Sequence, residues 1–161
     1  MPSNKKFKIK QTATTISCNT KSGLKNQIKS HQRDVRSMMK WFSEQIEQRG
    51  LIHDWTKDKF FNTMWEGFEE HRKIKDGAKW KKWCKLHIKK ERHHFTEDDT
   101  YLEQQTDLVD LIEWVCDTCC AGMARNGTYT YRKISSKTLQ LIVKNTVDKI
   151  LKEVEIIKKD R

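Results

Sequence analysis

The chain has 161 residues, a formal net charge of +11, 34% charged side chains, one proline, six glycines and five cysteines. That length is one domain with room for a core, and the composition is that of a helical soluble protein rather than a β-sandwich or a disulfide-stapled secreted scaffold. An odd cysteine count without framework spacing suits a reducing, cytoplasmic setting, and there is neither an apolar run of about 18 residues nor a hydrophobic segment behind the N-terminal lysines, so no membrane span or secretory signal is expected.

Residues 1–20 are basic and rich in Thr and Ser, and they are expected to form a loosely ordered arm or one short strand, leaving 21–161 as a single helical domain. From Leu24 to Gln48 the apolar residues Leu24, Ile28, Val35, Met38, Phe42 and Ile46 advance by three, four or seven positions, which is helical spacing, and Gly50 stands where a left-handed cap would end the helix. His31 falls on that apolar stripe and is therefore expected to face the core. After His53-Asp54 a second helix is predicted from about Asp58 to Lys73, broken by Gly77. A third begins near Ala78, carries Trp80, Trp83, Cys84 and His87, and frays around His93-His94.

Thr96 to Thr106 reads as an acidic loop. The next helix, Asp107 to Asn126, is apolar almost all the way round, which places it in the middle of the domain and makes Cys116, Cys119 and Cys120 buried thiols. Asp110, Glu113 and Asp117 share one of its faces; a buried carboxylate needs a partner or a metal, so Asp117 reads as a ligand, and Asp110 and Glu113 as groups that orient histidines or face surface cations. A final amphipathic helix, capped by Ser135 or Ser136, is predicted to end near Ile157, with its stripe packed inside a monomer or across a homodimer. His71 lies in a charged stretch and is expected at the surface.

Five of the six histidines therefore form an ordered series with two aspartates: His31, His53-Asp54, His87, His93-His94, Asp117. Imidazole and carboxylate are the ligands that divalent Mn, Fe, Co, Ni and Zn favour, and an adjacent His-Asp supplies both a nitrogen and a carboxylate able to bridge two ions. The series predicts a site for one or two divalent transition-metal ions. The lysine excess, at both ends and from Lys79 to Lys90, favours anionic partners such as nucleotides, phosphate esters or nucleic acid, although solvated helix faces give the same balance.

In this order and spacing the residues resemble the HD superfamily of metal-dependent phosphohydrolases, all-α domains named for their His-Asp pair. The resemblance covers about residues 24–125, and the stretch Arg49-Gly50-Leu51-Ile52-His53-Asp54-Trp55-Thr56-Lys57, with His93-His94 and Glu113-Trp114-Val115-Cys116-Asp117, is most similar to small members from phages and bacteria. It implies a compact domain of about five to six helices with one ion on His31, His53, Asp54 and Asp117, and a second on His87 with His93 or His94, bridged by Asp54. No Gly-Tyr-Pro triplet follows the His-Asp pair, unlike the large two-metal members. The activity implied is hydrolysis of a nucleotide or related phosphate ester by metal-activated water at Asp54. Lys57, four residues after His53 and so on the same side of a helix starting there, is a candidate catalytic and phosphate-holding residue, and Arg33 and Arg36 are further anion-binding candidates. Two other readings use the same residues: a di-iron oxygenase of the HD type, and a basic helical protein that binds nucleic acid around a structural metal.

Overall fold

The computed structural model describes residues 7–10, 19–96, 105–129 and 133–157. Six α-helices make up these residues: α1 (Lys21–Leu51), α2 (Trp55–Lys59), α3 (Phe61–Lys73), α4 (Ala78–Lys90), α5 (Leu108–Asn126) and α6 (Ser136–Glu153), with a 3₁₀ turn at Arg92–His94 and two short strands, β1 (Phe7–Lys10) and β2 (Val154–Ile157). The protein is all-α, as its composition predicts, apart from that strand pair. No helix of the described residues is long and apolar enough to cross a membrane.

The chain forms two compact units, residues 1–45 with 147–161 and residues 46–146. In the first, β1 and β2 pair in parallel with Phe7 opposite Val154 and Lys10 opposite Ile157. The tail of the last helix was expected to continue through these residues; instead α6 stops at Glu153, because Val-Glu-Ile-Ile is rich in β-branched residues and has a strand to pair with. Phe7–Lys10 supply the short strand expected within residues 1–20; most of that arm lies outside the described residues.

The second unit, residues 46–146, holds the core and all the chemistry discussed below. α3 and α4 form a close antiparallel-type hairpin whose crossing depends on Gly67: a Cβ there would stand 3.2 Å from the Lys79 carbonyl oxygen and 3.2 Å from the Trp80 Cα. Both obstacles are backbone and cannot rotate away. Gly67→Val is therefore expected to destabilise the protein by about 1–3 kcal/mol, visible as a lowered midpoint in thermal denaturation. Glu70 of α3 reaches across to accept hydrogen bonds from the backbone N–H of Lys79 (2.6 Å) and Trp80 (3.1 Å), capping α4 from its neighbour. His71, predicted exposed, is half-buried: its Nδ1 accepts from the Asp76 backbone N–H at 3.1 Å and its ring packs on Trp80.

Phe95, Trp114 and Ile142 form the buried apolar cluster, with Leu111, Ile134 and Leu141 packed against it. Thr146 ties α6 to the start of α5, accepting from the Leu108 backbone N–H at 2.8 Å. α5 opens with a capping box in which Asp107 accepts from the Val109 and Asp110 backbone and Asp110 accepts from the Asp107 N–H. Only one side of α5 is buried. Val109, Asp110, Glu113 and Trp114 face inward, whereas Val115, Met123, Cys116 and Cys120 are exposed, so these thiols are not the core residues that an all-round apolar helix suggested.

α1 also departs from expectation at its end. It runs through Gly50, and the left-handed residue is Asp54, at φ 57° and ψ 25°. Glycine permits a left-handed turn without requiring one, and Asp is among the side chains that tolerate that region. Tightened hydrogen bonds, Ile52 N–H to the Arg49 carbonyl and His53 N–H to that of Gly50, lead into the reversal.

Candidate metal centre

The reversal at Asp54 delivers His53 and Asp54 from the end of α1, α4 delivers His87, the 3₁₀ turn delivers His93 and His94, and the exposed-to-buried edge of α5 delivers Asp117 and Glu113. Three groups of potential ligand atoms result: His53, Asp54 and Asp117; Asp54, His87 and His94; and His53, His93 and Glu113. Asp54 belongs to two of them, one oxygen to each. Its Oδ2 lies 3.3 Å from His53 Nε2, which in turn is 3.5 Å from Asp117 Oδ1. Its Oδ1 lies 3.4 Å from His87 Nε2 and 3.7 Å from His93 Nε2, and His87 Nε2 is 3.0 Å from His94 Nε2.

These separations fit ions. With metal–ligand bonds of about 2.1 Å, two ligands on one ion stand about 3.0 Å apart at a right angle and about 3.4 Å apart in a tetrahedron. Buried polar atoms are nearly always hydrogen-bonded, yet Asp54 Oδ1 and His93 Nε2 are buried without a hydrogen-bond partner among the described residues. A carboxylate oxygen faced by imidazole nitrogens, with no donor serving it, could hold a metal ion.

The other ring nitrogens are held from outside. Glu113 Oε1 lies 2.9 Å from His53 Nδ1 and 3.1 Å from His93 Nδ1, so a single carboxylate oxygen fixes both rings with Nε2 toward Asp54. Burial pushes the Glu113 carboxyl up, but its bonds to His93 and His53 outweigh that and hold it below the usual range. His93 shows the mirror image, since burial would lower it and the Glu113 bond raises it. Glu113 is anchored by Arg49 Nε at 3.5 Å, and Arg49 also meets Asp110 Oδ1 at 3.1 Å. Arg92 pairs with the other Asp110 oxygen and with Asp107. Burial nonetheless leaves the Asp110 carboxyl above its ordinary value.

His87 is positioned by Thr56. The buried hydroxyl donates to Glu91 Oε1 at 2.6 Å and so accepts from His87 Nδ1–H at 2.7 Å, which leaves Nε2 as the lone pair aimed at Asp54. Burial, with the neighbouring His94 adding to it, pushes His87 down to about 4, so the ring is neutral at pH 7 as a ligand must be. Thr56→Val keeps the shape but leaves the His87 N–H and the Glu91 carboxylate without their shared hydroxyl. The expected result is a loss of about 1–3 kcal/mol of stability and weaker metal affinity, checked by denaturation with and without chelator.

Of the residues predicted from sequence, His53, Asp54, His87, His93, His94 and Asp117 come together. His31 is in none of the three groups; it is exposed on α1, within the unit of residues 1–45 and 147–161. The stripe that was to bury it buries nothing, for α1 has no buried residue. Arg33 and Arg36 are exposed on the same stretch of α1, Arg33 engaged with Ser30 and Asp34. Lys57 is in the centre, its ammonium against Asp54 Oδ2, where a positive charge helps to hold the Asp54 carboxyl below its usual range despite burial. The side-chain ammonium thus stands where cationic charge is wanted. His93-His94, expected to fray, form an ordered 3₁₀ turn with His93 buried. Glu91 went unnoticed in the sequence, although it follows His87 by one helical turn.

A cavity of about 260 Å³ adjoins the ligands, lined by Ile46, Val109, Ile112, Cys116 and Cys120 on its apolar side and reaching His53 and Asp117.

The chain matches, over residues 20–156, the model of a family of unknown function, DUF5662. It belongs to that family. No protein of curated function and no solved structure matches it. The DUF5662 match takes in every residue of the centre, from Arg49 to Asp117.

Proposed function

We propose that this protein is a metal-dependent phosphohydrolase acting on a nucleotide or related phosphate ester. The observation that carries the reading is the division of Asp54: its buried Oδ1 faces His87 and His93 and its Oδ2 faces His53, an arrangement in which the carboxylate could serve two divalent ions. His53, Asp54 and Asp117 would hold one ion and Asp54, His87 and His94, with His93 beside them, the other. Such ions supply an acidified water and neutralise charge developing on phosphorus. The chain's own residues do the rest. Glu113 and Thr56 keep the imidazoles in the tautomer that presents Nε2, Lys57 offers an ammonium to a phosphate oxygen at the mouth, and the adjoining cavity takes the organic part of the ester. The same four imidazoles and carboxylates favour iron as well as manganese or zinc, which keeps a di-iron oxygenase as the second reading.

Elemental analysis of protein purified without chelator tests the proposal. One to two transition-metal ions per chain are expected, together with hydrolysis of a generic phosphomonoester or phosphodiester that chelator abolishes and metal restores. A protein that binds no metal even after reloading with Mn, Fe, Co, Ni and Zn would sink it. Oxygen consumption and an iron absorption band without phosphoester hydrolysis would move it to the oxygenase.

A further inference from the structure

α4 presents two opposite faces. Trp83 and His87 are buried, and His87 belongs to the candidate metal centre. At about 100° per residue, Lys81, Lys82, Lys85 and Lys89 fall within roughly a quarter to a third of the helix circumference, on the side away from His87. All four are exposed. The helix sequence AKWKKWCKLHIKK holds no acidic residue, and among the described residues none of the four is paired with a carboxylate; the Lys79–Glu66 pair lies off this face. Lys90, the last residue of α4, lies off this face, over the Phe60 ring with Lys59, at 6.0 and 5.8 Å.

We propose that this face of α4 binds the phosphate backbone of nucleic acid, at a site separate from the metal centre. Uniform cationic charge without apolar anchors suits a polyanion. A protein partner would need buried aromatic or aliphatic hot spots, and the face offers none. Membrane insertion would need the apolar face of the helix, which is already packed inside residues 46–146. From Lys81 to Lys89 the helix rises about 12 Å, the axial length over which one strand of a duplex presents three or four phosphates at about 3.4 Å each. Because the lysines point away from His87, they do not deliver phosphate to the metal ligands, and the inference stands whether or not the protein hydrolyses esters.

The test is fluorescence anisotropy of a labelled oligothymidylate of about 20 nucleotides with the full chain, titrated between about 50 and 200 mM salt. Lys81→Gln, Lys82→Gln, Lys85→Gln and Lys89→Gln combined exchange good helix formers for another and leave the fold's propensity unchanged. Binding by the native chain should weaken steeply with salt, and the fourfold variant should bind at least tenfold more weakly, with a salt slope shallower by about 3, or about 0.7 per lysine. Two controls carry equal weight: Asp54→Asn should bind as tightly as the native chain, and a variant with Lys21, Lys25, Lys29 and Lys40 of α1 changed to Gln should keep most of the affinity. An unchanged slope in the α4 variant, or an equal loss in the α1 variant, would show that net charge and not this face is responsible. Lysine-dependent binding to phosphatidylserine vesicles without binding to the oligonucleotide would also overturn the assignment.

Discussion

Asp54→Asn is expected to strip the protein of its metal and to lower phosphoester hydrolysis by at least about a hundredfold, with the helical circular dichroism unchanged. The substitution is chosen for its backbone: Asp54 sits at φ 57°, and asparagine tolerates that region as well as aspartate does, so the chain reversal survives. What is lost is charge. An amide has one oxygen in place of two equivalent ones and cannot bridge the His53 side to the His87 side. Several kcal/mol of charge stabilisation attend a metal ion in such reactions, and each 1.36 kcal/mol is a decade in rate, which sets the size of the expected effect. Asp54→Ala would mix the loss of a ligand with strain in a left-handed residue and is the poorer experiment. Full metal content in Asp54→Asn would refute the bridging role.

Glu113→Gln should weaken metal binding by about tenfold to a hundredfold while leaving every ligand in place. With its oxygen in the Oε1 place the glutamine still faces both imidazoles, but its amide nitrogen then meets the Arg49 guanidinium; with the amide reversed, the nitrogen meets both Nδ1–H groups, and in either case donor faces donor. Either His53 and His93 lose their anchor and turn, or Arg49 is left beside a donor with Asp110 as its remaining carboxylate. The free-metal concentration at half occupancy, read by competition with a chromophoric chelator, should rise accordingly. Occupancy identical to that of the native chain would mean that His53 and His93 are oriented by packing and not by Glu113.

Ligand chemistry was the most legible part of this chain. His53-Asp54, His87, His93-His94 and Asp117 stand out because few other residue types can do their work, and a carboxylate within the apolar run of Asp117 argues for a partner before any fold is known. Periodicity served less well. The stripe of Leu24, Ile28 and Val35 has helical spacing and does form a helix, but those side chains stay exposed, and His31 with them. Spacing reports which residues share a face, not what covers it. The same limit hid the exposure of Cys116 and Cys120. The roles of Thr56, Glu91 and Arg49 were invisible for a different reason: each acts through a contact far away in sequence, as in the Thr56–Glu91 bond and the Arg49–Asp110 pair, and no local pattern encodes it. Val154–Ile157 read as the tail of a helix because its partner strand lies at the other end of the chain.

Neighbouring side chains diverge by about 100° on a helix and by about 180° on a strand, so in regular structure consecutive residues point apart. Here His53 and Asp54 face one group of ligand atoms where the backbone turns left-handed between α1 and α2. The metal site is thus sensitive to where a helix stops. A change that let α1 continue by one more turn, through better helix formers at positions 52 to 54, would keep His53 and all the distant ligands and still swing the imidazole away from its partner. Affinity for metal would then measure the termination of a helix, and loss of binding in a variant need not mean loss of a ligand.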